Sequence, residues 1–109
     1  MVVDLAQATR LLQADLFKFR AATETLLGNH SATDNEFAAM VSLCYNVGAD
    51  NFRTSSVLRE HCAGRRINAA DAFRLWNKAR VNGVLTVLAG LTSRREAERS
   101  LYLTRNTGT

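Results

Sequence analysis

Apolar positions recur at helical spacing from the start of the chain. Leu5, Ala8, Leu12, Leu16, Phe19 and Leu26 fall on one face of a single helix, with Arg10, Gln13, Arg20 and Glu24 on the other. Asp4 and Gln7 form a capping-box variant at its start, and Gly28 marks its end. Phe17 falls among the polar residues, which predicts a partly exposed aromatic.

A second helix is announced by Thr33 and Glu36, three residues apart, ahead of the run FAAMVSLCYNVG that stops at Gly48. It is apolar nearly all round, the pattern of a central helix buried by its neighbours. Its one polar strip, Asn35, Ser42 and Asn46, must face water, a cleft or a ligand. A short helix is expected from Thr54 or Ser55 through Cys62, ending at Gly64. Beyond the basic connector Arg65-Arg66, Asn68 is expected to cap a helix with Ala69, Ala72, Phe73, Trp76 and Ala79 on one face. Val84 to Leu88 is ambiguous between helix and strand, and its helical surroundings favour a short helix ending at Gly90. A last helix is expected to begin at Thr92 or Ser93, with Ser93 and Glu96 forming a third capping box, and to run to about Leu103. The expected fold class is all-α, an orthogonal helical bundle forming a single domain over residues 1–103, with a flexible tail at 104–109.

Composition narrows the classes of function. Hydrophobic residues make up 47% of the 109 and charged residues 22%, values of a globular domain rather than a disordered chain. Proline is absent and no linker or repeat interrupts the pattern. Neither a signal peptide nor a membrane-spanning run is legible, so synthesis and residence in the cytoplasm is the default expectation. Cys44, Cys62, His30 and His61 lack metal-ligand spacing; two free thiols, no metal and no cofactor are expected. Charge is uneven. Residues 1–52 hold three Lys/Arg against six Asp/Glu, net −3, whereas residues 53–109 hold eleven against four, net +7. A basic half suits an anionic polymer, an acidic protein or merely solvent.

The segments AQATRLLQADLFKF, FAAMVSLCYNVG, FRTSSVLR, AADAFRLWNKA and GLTSRREAERSLYL, in that order, resemble the phage-type lysozymes and endolysins, glycoside hydrolase family 24, over about residues 3–103. The resemblance implies the helical lobe of that fold, which a long helix joins to a small N-terminal lobe, with glycan between the two. It also implies that the family's upstream glutamate, its Asp or Cys, and its Thr have no counterpart here. Glycoside hydrolysis usually needs two carboxyl groups flanking the scissile bond. Neither Glu24 with Asp34 nor Glu96 with Glu98 matches that requirement, so no catalytic residue is assigned and intrinsic muramidase activity is not expected.

Four residues are candidates for glycan or ligand binding. Tyr45 and Asn46 lie in the segment that the resemblance places at the cleft wall; the alternative is a core tyrosine and a local cap near Gly48. Arg94 and Arg95, read as first-turn residues, oppose the helix macrodipole and so call for an anionic partner, either a ligand or Glu98. Trp76 reads as core. Phe17 is the candidate for a protein partner, or for self-association into a homodimer, through surface left by a missing lobe. Two functional readings follow: a lysozyme-like protein that binds peptidoglycan glycan without cleaving it, and an interaction or inhibitory module built on the same bundle. A third, nucleic-acid binding through a helix-turn-helix-like pair at residues 55–79, is weakened because Phe73 and Trp76 point inward and only Arg74, Lys78 and Arg80 remain for phosphate.

Overall fold

The computed structural model describes residues 5–104, with side chains from Leu16 onward. The expected start signal at Asp4 and Gln7 and the tail 105–109 lie outside the described residues. The long first helix, α1, spans Leu5–Leu27. Helix α2, Asp34–Val47, opens with the expected capping box: Thr33 Oγ1 accepts from the Glu36 amide at 3.1 Å, and Glu36 Oε1 accepts from the Thr33 amide at 2.9 Å. Thr33→Ala should therefore cost about 1 kcal/mol, read from chemical denaturation. At Gly48 the chain turns with φ +93°, a region that side chains with a Cβ avoid. Two short helices follow, α3 (Ala49–Arg53) and α4 (Ser56–Cys62), the latter capped by Ser55 Oγ accepting from the Leu58 amide.

Downstream, the structure corrects the sequence reading three times. Helix α5, Arg66–Ala72, starts before Asn68, which caps nothing, and ends well short of Ala79. A 3-10 turn, Phe73–Leu75, carries the chain out of it. The segment expected to be a short helix ending at Gly90 is instead the second strand of an antiparallel hairpin, β1 (Lys78–Val81) paired with β2 (Val84–Val87). Asn82 and Gly83, at φ +51° and +80°, make the two-residue turn whose twist matches that of the strands, and the flanking β-branched residues favour pairing. The fold is thus mostly helical with one small sheet, not purely all-α. Helix α6 begins at Ala89, with Leu88 as its uncapped start and Gly90 inside its first turn. Ser93 and Glu96 therefore form no capping box. Arg94 and Arg95 fall in the second turn, away from the positive pole of the helix, so the macrodipole argument does not apply to them.

The core is built around α2, as its apolar circumference predicts. Ala39, Met40, Leu43 and Cys44 are fully buried against Phe52 of α3, Val57 of α4, Ala69 and Ala70 of α5, Phe73 and Tyr102 of α6. Trp76 packs half-buried at the edge of this cluster, in keeping with its reading as core. No described helix is long and apolar enough to cross a membrane.

Candidate functional site

The polar strip of α2 meets an equally polar face of α6. Arg95, Glu98 and Tyr102 recur at i, i+3 and i+7, so they point the same way, and all three are buried. Arg95, only 1% exposed, is held on every side. Its Nη1 donates to Asn46 Oδ1 at 2.8 Å and to the Trp76 carbonyl at 3.2 Å, and its Nη2 donates to Glu98 Oε2 at 2.9 Å. Arg95 Nε also faces Glu98 Oε1 at 2.7 Å, off the hydrogen-bonding direction, so that contact is coulombic. Ser42 Oγ donates to Glu98, and Asn35 Nδ2 reaches the Thr104 carbonyl at 3.0 Å, which completes the strip. The guanidinium thus locks the chain at Trp76, where the helical run breaks. Asn77 then exchanges its carbonyl with the Leu88 amide and its side chain with Thr92.

A second polar knot ties the other end of α6. Arg66 donates from Nε to Glu36 Oε2 at 2.7 Å and from Nη2 to the Tyr102 carbonyl at 2.8 Å. Burial alone would raise the Glu36 carboxyl, but the Thr33 amide and Arg66 outweigh it and hold it below the ordinary range. The Tyr102 hydroxyl lies 2.6 Å from His61 Nδ1, and burial pushes that phenol far up. His61 Nε2 is 2.9 Å from the Ser31 carbonyl, which can only accept, so Nε2 carries the proton and Tyr102 donates to Nδ1 in the neutral ring.

Two concavities adjoin the Arg95 cluster. The larger, about 710 Å³, lies between α1 and α2, with Leu16, Phe37, Ala38, Val41 and Tyr45 as apolar wall and Arg20, Asp34, Ser42 and Arg94 as its polar lining. The smaller, about 170 Å³, is polar and is lined by Arg74, Asn77, Thr92, Arg95 and Glu96. The sequence candidates are accordingly divided. Tyr45 and Arg94 share the apolar groove, Tyr45 being set edge-on to Phe19 at 5.6 Å. Arg95 lies in the buried cluster, and the exposed Asn46 joins it through its Oδ1. Arg95 is therefore a positioning group and not an open anion site, whereas Arg94 is partly exposed and 3.7 Å from Glu98. Phe17 is 77% exposed, as expected, but stands outside the groove. Phe17→Ser should leave stability within about 0.5 kcal/mol of the parent, measured by urea titration. Neither Asn77 nor Thr92 stands out from sequence as a site residue; Asn77 sits inside the segment AADAFRLWNKA, and Thr92 inside GLTSRREAERSLYL as a possible helix start.

No described carboxylate has the environment of a general acid. Arg65 holds Glu60 below its usual range and Arg74 does the same for Glu96, chiefly by direct hydrogen bonds. Glu98 is engaged by Arg95 and Ser42, and Asp71 by Arg99 at 3.0 Å. Glu24 and Asp34 border one shallow depression of about 360 Å³, and Asp34 also lines the apolar groove, but both carboxylates are exposed to water. Cys44 and Cys62 are free thiols whose pKa burial raises, and no cluster of metal-ligating side chains occurs among the described residues.

Solved structures share this arrangement of helices. The endolysin from Escherichia coli O157:H7 phage FAHEc1 superposes with a TM-score of 0.86 at 37% identity, covering 94% of this chain and 65% of that one. The muramidase domain of SpmX from Asticaccaulis excentricus gives 0.85 at 41% identity, covering 94% and 69% respectively. The fold is therefore lysozyme-like. The chain belongs to the phage lysozyme family, whose profile matches residues 1–98. The endolysin of Acyrthosiphon pisum secondary endosymbiont phage 1 is 36% identical over 101 residues, 93% of this chain and 68% of the relative. The endolysin of Bacillus phage B103 is 37% identical over 103 residues, which are 94% of this chain but only 37% of that protein. The chain thus spans between roughly one third and two thirds of these relatives' lengths.

Proposed function

We propose that this chain forms the helical wall of a lysozyme-type cleft, binds peptidoglycan glycan there, and by itself supplies no pair of carboxyl groups for cleavage. The observation that carries this reading is the Arg95 clamp. It fixes the Asn46 amide and the Trp76-Asn77 break side by side, and so presents amide and hydroxyl groups next to the polar concavity of Asn77 and Thr92. Sugar hydroxyls want such preset donors and acceptors near an aromatic edge. Family membership supplies the substrate class, since lysozymes act on peptidoglycan. The absence of cleavage is supported by the described carboxylates, each of which is exposed or engaged by a cation, where one acid would have to stay protonated at neutral pH.

The test is retention on purified peptidoglycan together with turbidity clearing of bacterial walls. The protein alone should be retained at low salt without clearing the suspension. Asn46→Ala should weaken retention about 3- to 10-fold, the worth of one hydrogen bond at a partly wet site. Adding the N-terminal part of the phage FAHEc1 endolysin as a separate polypeptide should bring clearing. Clearing by the protein alone, or no retention, would overturn the proposal.

The apolar groove favours a second reading, a protein-interaction module. A trough of this size, lined by Arg20 and Arg94 as well as Asp34, suits an amphipathic helix that offers an acidic residue to Arg94. Arg94→Glu should then weaken capture of such a helix while leaving peptidoglycan retention unchanged. The nucleic-acid reading loses support because most cations of the basic half have partners: Arg65 and Arg59 with Glu60, Arg66 with Glu36, Arg74 with Glu96, Arg94 and Arg95 with Glu98, Arg99 with Asp71.

A further inference from the structure

The β1–β2 hairpin buries almost nothing. Directly opposed residues share a face, so Lys78, Val87, Arg80 and Leu85 lie on one side and Ala79, Thr86, Val81 and Val84 on the other. Only Ala79 and Thr86, at the base of the second side, are half-buried. Val81, Val84, Leu85 and Val87 stand in water, Val84 at 64% and Leu85 at 58% exposure, and Leu75 just before the hairpin is exposed as well. A soluble surface scatters single apolar residues; it does not usually gather them at the end of a protrusion.

The charge carried by the hairpin itself has one sign, Lys78 and Arg80 with no acid between them and the turn. Arg74, Arg94 and Arg95, which flank it in sequence, are already engaged by Glu96 and Glu98. Lys78 and Arg80 have no carboxylate within 4 Å among the described residues, and they share their face with Leu85 and Val87. Apolar tips with cationic collars suit the interface of an anionic bilayer, where valine and leucine enter the acyl boundary while long cationic stems keep their heads among the phosphates. We propose that this hairpin is an interfacial anchor for anionic phospholipid membranes. Nucleic acid would satisfy the cations but gives no return for burying Val84 and Leu85. A second copy would satisfy the apolar residues but brings the same two cations to the contact. Both outer edges of the hairpin leave backbone amides and carbonyls unpaired, which limits insertion to the headgroup region, where water and phosphate can satisfy them. This inference stands apart from the glycan reading and does not depend on it.

The test is sedimentation of the purified protein with large unilamellar vesicles. Vesicles of phosphatidylglycerol and phosphatidylethanolamine should carry the protein down at low salt, and phosphatidylcholine vesicles should carry much less. The double variant V84S/L85S should reduce partitioning by about tenfold, and K78Q/R80Q should reduce it on anionic vesicles and remove its salt dependence. In the variant L85W, tip emission should shift to the blue with vesicles and be quenched by shallow brominated lipid, a readout that loss of fold would not mimic. Protein that stays in the supernatant with anionic vesicles, equal binding by V84S/L85S, or unshifted L85W emission would overturn the proposal. So would a dimer that V84S/L85S dissolves in the absence of vesicle binding, which would make the hairpin an interface between copies.

Discussion

Arg95→Ala is expected to remove about 3–5 kcal/mol of folding stability, the cost of leaving the buried Glu98 carboxylate with only the partly exposed Arg94, 3.7 Å away, in place of its buried partner. Against a total of about 5–15 kcal/mol for a domain, that loss leaves a marginal fold, with a midpoint lowered by about 12–20 °C. The magnitude follows from burial: Arg95 and Glu98 side chains are 1% and 5% exposed, so water cannot replace the missing partner. Arg95→Met combined with Glu98→Leu should recover most of the loss, because removing both charges also removes the desolvation penalty. A double-mutant cycle read by urea unfolding checks both statements. Near-additive single effects would show that the two residues act independently. If the glycan reading holds, the recovered double variant should still bind peptidoglycan less well, since Asn46 has lost its clamp even though the core is intact.

Arg66→Ala should cost about 2–3 kcal/mol at neutral pH, less than Arg95 because the guanidinium is one-third exposed and partly screened. Its pH dependence distinguishes it. Glu36 has a depressed carboxyl pKa in the folded protein, so its stabilising contribution is complete above the ordinary value of 4.5 and is lost as pH falls through the lower, folded value. The parent should therefore lose stability with acid below about pH 4.5. In Arg66→Ala the gap between folded and unfolded values narrows, and the slope of stability against pH in that window should flatten. Chemical denaturation at a series of pH values measures the slope directly; an unchanged slope would mean that Arg66 does not set the Glu36 titration.

Much of the fold was legible because local signals agreed with tertiary ones. Thr33 with Glu36 and Ser55 used their own side chains as caps, and Gly48 closed α2, so those boundaries needed no distant partner. The hairpin carries a local signal as well, Asn82-Gly83 between valines, which the reading of Val84 to Leu88 from its helical surroundings left out of account. The false capping box at Ser93 and Glu96 shows the opposite case. The pair has the right spacing, yet Glu96 is taken by Arg74, 22 residues away, and the helix starts four residues earlier.

The candidate site was half visible for a related reason. Spacing alone placed Asn35, Ser42 and Asn46 on one face, whereas the demand of Arg94 and Arg95 for an anion was argued from a helix start that the structure moves to Ala89. What the residue order does establish is that each helix has an inward side, and that α2 carries polar groups on part of it. Which groups those are matched with depends on two helices being brought together across some fifty residues of intervening chain, and only packing decides that. Periodicity reports how a side chain points within its own element. A charge becomes buried, and therefore decisive, only when a second element arrives to exclude water from it.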